Sequence, residues 1–308
     1  MSEGRVLESS PVRWPNAEVE MNAALVEELI RQQHPDLLDG ALREMPPGFD
    51  NSIWRLGDDL VVRLPRREVA VRLIESEQHW LPELATRLPL LIPTPLRVGV
   101  PSDLFPWPWT IARWIEGTPG NLVDPVVLGR LASPLGRFFR ALHHEAPADA
   151  PTNPFRDVPL LTHDDTMHHR LEEAGAAVDR DALLRVWAAS LGASPWSVAP
   201  QWIHGDPHPA NLIVRDGELI GVIDFGDLCA GDPATDLAGG LLALPYPSLD
   251  EFFHAYGDAD DATIRRTLGW AVHFGLMFVL LGESDEPTYG EIGRRALAHA
   301  VAYSRALD

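Results

Sequence analysis

Between Trp202 and Ala238 the chain places His204-Gly205-Asp206, then Asn211 five residues after Asp206, then Asp224 thirteen residues after Asn211. Asp216-Gly217 separates two apolar runs, Leu212–Val214 and Leu219–Ile223. An Asp-Gly pair between apolar runs signals a β-hairpin, because both turn positions favour positive φ. Such a hairpin folds Asn211 and Asp224 back toward each other, with Asp206 on the loop just before. Two carboxylates and one amide oxygen then converge at one end of a short ribbon. Hard oxygens of this kind suit Mg²⁺, which keeps several waters and takes one or two protein ligands plus phosphate oxygens. His204, Asp206 and His208 also invite a zinc reading. An H-E-x-x-H site needs a helix to align its imidazoles, however, and Pro207 and Pro209 forbid a regular helix here.

The elements that must position these groups follow from periodicity and punctuation. Residues 1–15 read as a tail, and residues 17–33 as an amphipathic helix with Val19, Leu25, Val26, Leu29 and Ile30 at helical spacing. Ser52–Leu56 and Leu60–Leu64 flank Gly57-Asp58-Asp59 as a second hairpin. A helix over Glu68–Leu88 carries Leu73, Glu77, Leu81 and Leu84 on one face. Leu96–Val100 and Trp109–Ile115 read as two further strands. Beyond Gly117–Gly120 the pattern is mostly helical: Pro125–His143 with a break at Pro134, Asp164–Val178, Asp181–Gly192, then 232–244, 249–257, 261–282 and 288–306. Pro147–Pro159 reads as a proline-rich loop. Asp232-Pro233 resembles an N-cap followed by proline at the first helical position.

Composition narrows the chemistry. The chain has 308 residues, 45% of them apolar, which allows one large or two medium domains. All 25 basic residues are arginine. A Walker A loop, which needs G-K-[ST], is thereby excluded, as is Schiff-base chemistry through lysine. Cys229 stands alone, so intramolecular disulfides and thiolate zinc clusters are excluded. A net charge of −20 argues against a nucleic-acid surface and suits a cationic small molecule. The start lacks the apolar core of a signal peptide, and Trp270–Gly282 is shorter than the ~20 residues that span a bilayer. The expectation is a cytoplasmic protein with no membrane partner and a buried C-terminal helix. Oligomeric state is not readable.

Three linked blocks carry a resemblance: His204-Gly205-Asp206 with Asn211, Ile223-Asp224-Phe225-Gly226, and Gly231-Asp232-Pro233-Ala234-Thr235-Asp236-Leu237-Ala238. Together they resemble the catalytic segment of the aminoglycoside phosphotransferase family, whose fold is protein-kinase-like. The resemblance implies an α+β fold with a small antiparallel-sheet N-terminal lobe (1–117) and a mostly helical C-terminal lobe (118–308). It implies transfer of the γ-phosphate of ATP or GTP, with Mg²⁺, to a hydroxyl of an aminoglycoside-type antibiotic. Asp206 would orient the acceptor hydroxyl and take its proton, and Asn211 and Asp224 would hold the metal. His204 would brace the loop, Asp232 would cap its helix, and Asp236 would bond the catalytic loop's backbone.

On the nucleotide side the resemblance implies a phosphate-covering loop at Gly48–Asn51, here not glycine-rich, and an inter-lobe hinge where Arg113 and Ile115 would meet the base. The family's phosphate-gripping lysine is replaced by Arg63, with Glu77 as the expected partner and Glu75 as the alternative. The run Arg63-Leu64-Pro65-Arg66 is similar to macrolide phosphotransferases, which keeps a macrolide or another natural-product or metabolite acceptor open. Candidate acids for a cationic acceptor are Asp164, Asp165, Asp227, Glu283, Asp285 and Glu286. A nucleotide-binding scaffold that does no transfer is the alternative from another class, and only Arg63 favours it.

Overall fold

The computed structural model describes residues 16–38, 40–257, 259–284 and 287–307. The first helix, α1 (Ala23–Gln33), begins later than the periodicity suggests, because Asn22 caps it and accepts the Leu25 N–H at 3.0 Å. A five-stranded antiparallel sheet follows in the order β1-β2-β3-β5-β4, from β1 (Leu42–Glu44), β2 (Asn51–Leu56), β3 (Leu60–Pro65), β4 (Pro95–Gly99) and β5 (Trp109–Arg113). Strand alternation sorts its residues. Trp54, Leu56, Val62, Leu64 and Ile111 pack with Val26, Leu29 and Ile30 of α1 into one core. Asn51, Ile53, Arg55, Val61 and Arg63 therefore share the opposite face.

That face meets α2 (Val71–Leu84), which is preceded by a single 3₁₀ turn, Glu68–Ala70. Its buried stripe is Ile74, Glu77, Leu81 and Leu84. Leu73, expected on this stripe, lies instead beside Gly226. Leu81 and Leu84 belong to the larger core of the helical part, with Trp80 packed against it. Trp80 meets Trp202 edge-on, with ring centroids 4.9 Å apart.

The helical part contains β6 (Thr118–Pro119), α3 (Pro125–Arg130), α4 (Ala132–Leu142), α5 (Asp164–Ala174), α6 (Arg180–Leu191), β7 (Gln201–Ile203), β8 (Leu212–Arg215), β9 (Glu218–Val222), β10 (Cys229–Gly231), α7 (Ala234–Ala243), α8 (Leu249–Tyr256), α9 (Asp261–Ser284) and α10 (Pro287–Leu307). The break expected at Pro134 falls at Leu131, close to the Arg130 carbonyl that residue 134 of an unbroken helix would have bonded. Asp179 caps α6 through the Ala182 N–H at 3.1 Å. Asp216 and Gly217 both have positive φ, 54° and 79°, so the β8–β9 hairpin turns where the sequence places it.

The C-terminal apolar helix is longer than its apolar stretch suggests. Asp260 accepts the Thr263 N–H at 2.7 Å and starts α9 ahead of Trp270. The segment Asp261–Glu283 is long and apolar enough to cross a membrane, but 72% of its most apolar window is buried inside the protein. It is the central helix of the larger core, contributing Leu268, Trp270, Phe274, Leu276, Phe278 and Val279.

Candidate active site

Strand β7 delivers the chain into His204-Gly205-Asp206, and the three backbone N–H groups of this entry are all bonded. Asp236, fully buried at the first turn of α7, accepts the N–H of His204 at 2.7 Å and that of Gly205 at 2.8 Å. Its Oδ2 also meets His143 Nε2 at 3.1 Å. The His204 ring is buried against Phe225, with Nε2 at 3.0 Å from the Ile223 carbonyl and Nδ1 accepting the Asp206 N–H at 3.2 Å. That pattern puts the ring's proton on Nε2 and leaves neither nitrogen to act as a base. Gly205 has φ 83°, and a Cβ there would lie 2.5 Å from the Asp227 carbonyl oxygen. Only glycine fits.

Asp206 keeps 26% of its side chain exposed and lies 3.4 Å from His208 Nε2. Burial opposes its charge, but His208, then Arg156 and His204, hold its carboxyl well below the usual range. His208 is shifted the other way: burial opposes its protonation, and the Asp206 carboxylate outweighs burial. The two form an ion pair. Asn211 donates from Nδ2 to the Asp206 carbonyl at 2.9 Å and to its Oδ2 at 3.4 Å. The amide nitrogen is thus committed, and Oδ1 is the atom left to offer a cation.

Asp224 sits at φ 64°; among the described residues only Asp216 shares a positive φ without being glycine. Strained backbone of this kind costs of order 1–3 kcal/mol and concentrates at functional sites. The Ile223 N–H bonds the Asn211 carbonyl at 2.9 Å, which ties the two segments together. The charge of Asp224 acts on Arg63, Glu77, Asp50, His208 and Asp227, so it lies at the centre of the charged groups. No cluster of three or more His, Cys, Asp or Glu suited to a metal occurs among the described residues. A divalent ion here would take two protein oxygens, Asn211 Oδ1 and an Asp224 carboxylate oxygen, and complete its shell with phosphate and water. That donor set fits Mg²⁺.

Across the cleft, Arg63 on β3 forms a bidentate buried ion pair with Glu77 of α2, one arm NH1 to Oε2 and the other NH2 to Oε1 at 3.1 Å. Burial works against the guanidinium, but Glu77, Asp224 and Asp50 outweigh it and raise its pKa. Glu75 is exposed on the other side of the helix. Asn51 shares Arg63's face of the sheet and is buried, its Oδ1 without a partner. Asp50 on the loop before it pairs with Arg67 at 3.0 Å. Burial and then Asp224 push its carboxyl upward. At the expected hinge, Arg113 ends β5 and the Trp114 N–H bonds the Asp59 carbonyl at 2.7 Å. Ile115 is buried against Gly221, and the Arg55 guanidinium lies 4.4 Å from the centre of the Trp114 ring.

A family model described as the phosphotransferase enzyme family matches residues 41–270. The chain belongs to this family. None of the curated proteins matches it in sequence. Solved structures share its fold. The GDP complex of wild-type aminoglycoside 2'-phosphotransferase-IIIa is 20% identical with a TM-score of 0.65, over 92% of this chain and 100% of that one. Macrolide 2'-phosphotransferase MphH from Brachybacterium faecium is 23% identical with a TM-score of 0.60, over 89% and 97%. The streptomycin–ATP ternary complex of APH(2")-IIa is 19% identical with a TM-score of 0.57, over 84% and 91%. At these identities the likeness is one of fold.

In this phosphotransferase the described acids among those named for a cationic acceptor have different surroundings. Asp227 is engaged by Asn153 Nδ2 at 2.7 Å and Arg156 at 3.3 Å, and burial raises its carboxyl pKa, with Arg156 partly offsetting this. Asp164 accepts the Trp187 indole N–H at 2.7 Å at the start of α5, and Asp165 beside it is exposed. Glu283 is exposed near the end of α9; Asp285 and Glu286 lie outside the described residues. Sequence reasoning missed Arg156, Asn153 and His143. Their partners lie dozens of residues away, and no local signal marks them. His208 was weighed only as a zinc ligand, although its place two residues after Asp206 was a usable clue.

Proposed function

We propose that the enzyme transfers the γ-phosphate of ATP or GTP, with Mg²⁺, to a hydroxyl of a small natural product, an aminoglycoside or macrolide antibiotic. The observation that carries this reading is the convergence of Asp206, Asn211 and Asp224 beside a buried Arg63–Glu77 pair. Phosphoryl transfer asks mainly for positioning and charge neutralisation, and these are the groups that supply both. When bound, the metal would neutralise and orient the phosphate oxygens. Arg63, locked by Glu77, grips phosphate as a planar fork in the place of a lysine. Asp206 orients the acceptor hydroxyl and takes its proton at a carboxylate oxygen. With its basicity depressed by His208, it takes that proton late, as the hydroxyl turns acidic on bonding phosphorus.

What the acids are doing bears on the acceptor class. Asp227 and Asp164 are already hydrogen-bonded within the protein, which favours an acceptor with few amino groups over a polycation. This supports the macrolide side of the proposal, as does Arg63-Leu64-Pro65-Arg66. The rival scaffold reading rests on Arg63 alone, and the intact Glu77 partner weakens it. A cytoplasmic setting, where nucleoside triphosphates are abundant, goes with the proposed donor.

The test is a mass-spectrometric screen of ATP and GTP against kanamycin, streptomycin, erythromycin and simple amino alcohols. A product heavier by one phosphoryl group with wild type, absent with Asp206→Asn, is the expected result. Tight nucleotide binding with no product and no Mg²⁺-dependent hydrolysis would overturn the proposal in favour of a scaffold.

A further inference from the structure

The loop Pro147–Pro159 carries an arginine whose guanidinium reaches both segments of the catalytic centre, with NH1 also 3.5 Å from its neighbour's carbonyl, that of Phe155. Arg156 donates from Nε to the Gly205 carbonyl at 2.6 Å and from NH2 to Asp227 Oδ2 at 3.3 Å. Its side chain is 13% exposed, and its guanidinium lies 5.1 Å from the centre of the Phe274 ring on α9. The loop beneath it is built to hold it. Asn153 accepts the N–H groups of Arg156 and Asp157 at its carbonyl, both at 3.0 Å, and that of Phe155 at its side-chain oxygen, also at 3.0 Å. Asn153 in turn donates to the other Asp227 oxygen at 2.7 Å. The Ala230 N–H bonds back to Pro151 at 3.2 Å.

The peptide unit between Gly205 and Asp206 is consequently fixed at both of its polar atoms. Arg156 holds its carbonyl, and His204 Nδ1 holds its N–H at 3.2 Å. A peptide is planar, so fixing both ends sets the direction in which the Asp206 side chain leaves the loop. The same guanidinium grips Asp227, three residues after Asp224. One side chain therefore spans the two segments that carry the proton acceptor and a metal-facing carboxylate.

We propose that Arg156 is a positioning residue for phosphoryl transfer, setting Asp206 against the Asp224 segment through the Gly205 carbonyl and Asp227. Its hydrogen bonds go to protein groups, and a buried planar fork suits two separate acceptors better than a lysine's single ammonium. Misplacement of a reacting group by about 1 Å costs of order 10²-fold in rate. The inference rests on the phosphotransferase reading of the site.

The test uses Mg²⁺-dependent hydrolysis of ATP and GTP, followed by phosphate release, in the full-length wild type and in Arg156→Met, Arg156→Lys and Arg156→Gly. Expected for Arg156→Met is a fall in kcat of about 10²-fold with nucleotide KM unchanged. Arg156→Lys should recover part of the loss, and millimolar guanidinium should restore turnover to Arg156→Gly. Amide hydrogen exchange provides a second readout, with Gly205 and Asp206 losing protection in Arg156→Met while α9 keeps its own. An unchanged kcat would overturn the proposal. So would a loss that vanishes when rates are divided by the titrated fraction of active sites, because Arg156 would then serve folding only. A wild type that neither hydrolyses either nucleotide nor phosphorylates any acceptor of the screen would sink the phosphotransferase reading itself. The exchange pattern would then still decide whether Arg156 fixes the loop.

Discussion

Asp236 holds His204 from below: one carboxylate oxygen accepts the His204 N–H at 2.7 Å, and the other accepts the next N–H, from Gly205, at 2.8 Å. The catalytic loop thus hangs from the first turn of α7 by two charge-assisted bonds in a site that water does not reach.

Removing that support has a calculable cost. Asp236→Ala leaves two buried N–H groups and His143 without their acceptor, and each unsatisfied group costs about 1–3 kcal/mol. We expect urea denaturation to show a loss of about 3–5 kcal/mol. Turnover per folded molecule should fall as well, since the loop loses its anchor. Denaturation at neutral pH and active-site-corrected rates check both.

The Arg63–Glu77 pair separates stability from activity. Glu77→Gln leaves a buried guanidinium uncompensated and should destabilise by about 3–5 kcal/mol. Replacing both partners, Arg63→Met with Glu77→Leu, should restore most of that stability, because a well-packed apolar pair often equals a buried ion pair. The double variant should nonetheless bind nucleotide poorly. Calorimetric melting and nucleotide titration of the three variants decide it.

Metal affinity should follow the two oxygen donors. In the presence of a non-hydrolysable nucleotide, Asp224→Ala is expected to weaken Mn²⁺ binding by at least about tenfold, and Asn211→Ala also measurably. Electron paramagnetic resonance of free Mn²⁺ reads this without any turnover. Equal affinities in wild type and both variants would remove the two residues from the metal site.

Acid should weaken the fold through the helical core. Burial, with Arg170 and His163 beside it, lowers His273 to about 2, and burial with Arg156 lowers His163. The ring centroids of the two imidazoles are 4.2 Å apart. The unfolded chain takes up these protons near pH 6.5 and the native one only at lower pH, so stability falls as pH drops below that value. One such histidine removes about 1.4 kcal/mol per pH unit. His273→Leu should therefore flatten the pH dependence of stability between about pH 6 and 4 by close to one proton. His163 maintains part of the slope.

The parts of the site legible in the sequence are those set by local rules or carried by the resemblance. The Asp216-Gly217 turn follows from a turn rule and the face that carries Glu77 from helical spacing, whereas the bracing of the loop by His204 and Asp236 and the pairing of Glu77 with Arg63 follow from the resemblance of the three linked blocks. The four strands between Ser52 and Ile115 and the helical character beyond residue 117 were equally readable. What escaped were terms settled by tertiary contact. β1 is three residues long and largely exposed, so it carries no period. Leu73 turned toward Gly226 instead of the core. Arg156 reads as an ordinary loop arginine until the fold brings Gly205, 49 residues away, beneath it. The acceptor acids rest on the resemblance and on charge, and neither says that Asp164 already serves an indole and Asp227 a guanidinium.

The seating of α2 has one more consequence. The helix that carries Glu77 ends among the side chains of the helical part, with Trp80 against Trp202, while Arg63 rides on the sheet. Gln78 of the same helix bonds the Trp109 carbonyl at 3.1 Å and Thr110 Oγ1 at 2.8 Å on β5, so α2 is fastened to the sheet along its middle and to the helical part at its end. A tilt of the sheet would carry Glu77 along with Arg63, and arriving phosphate would meet the pair as one preformed unit.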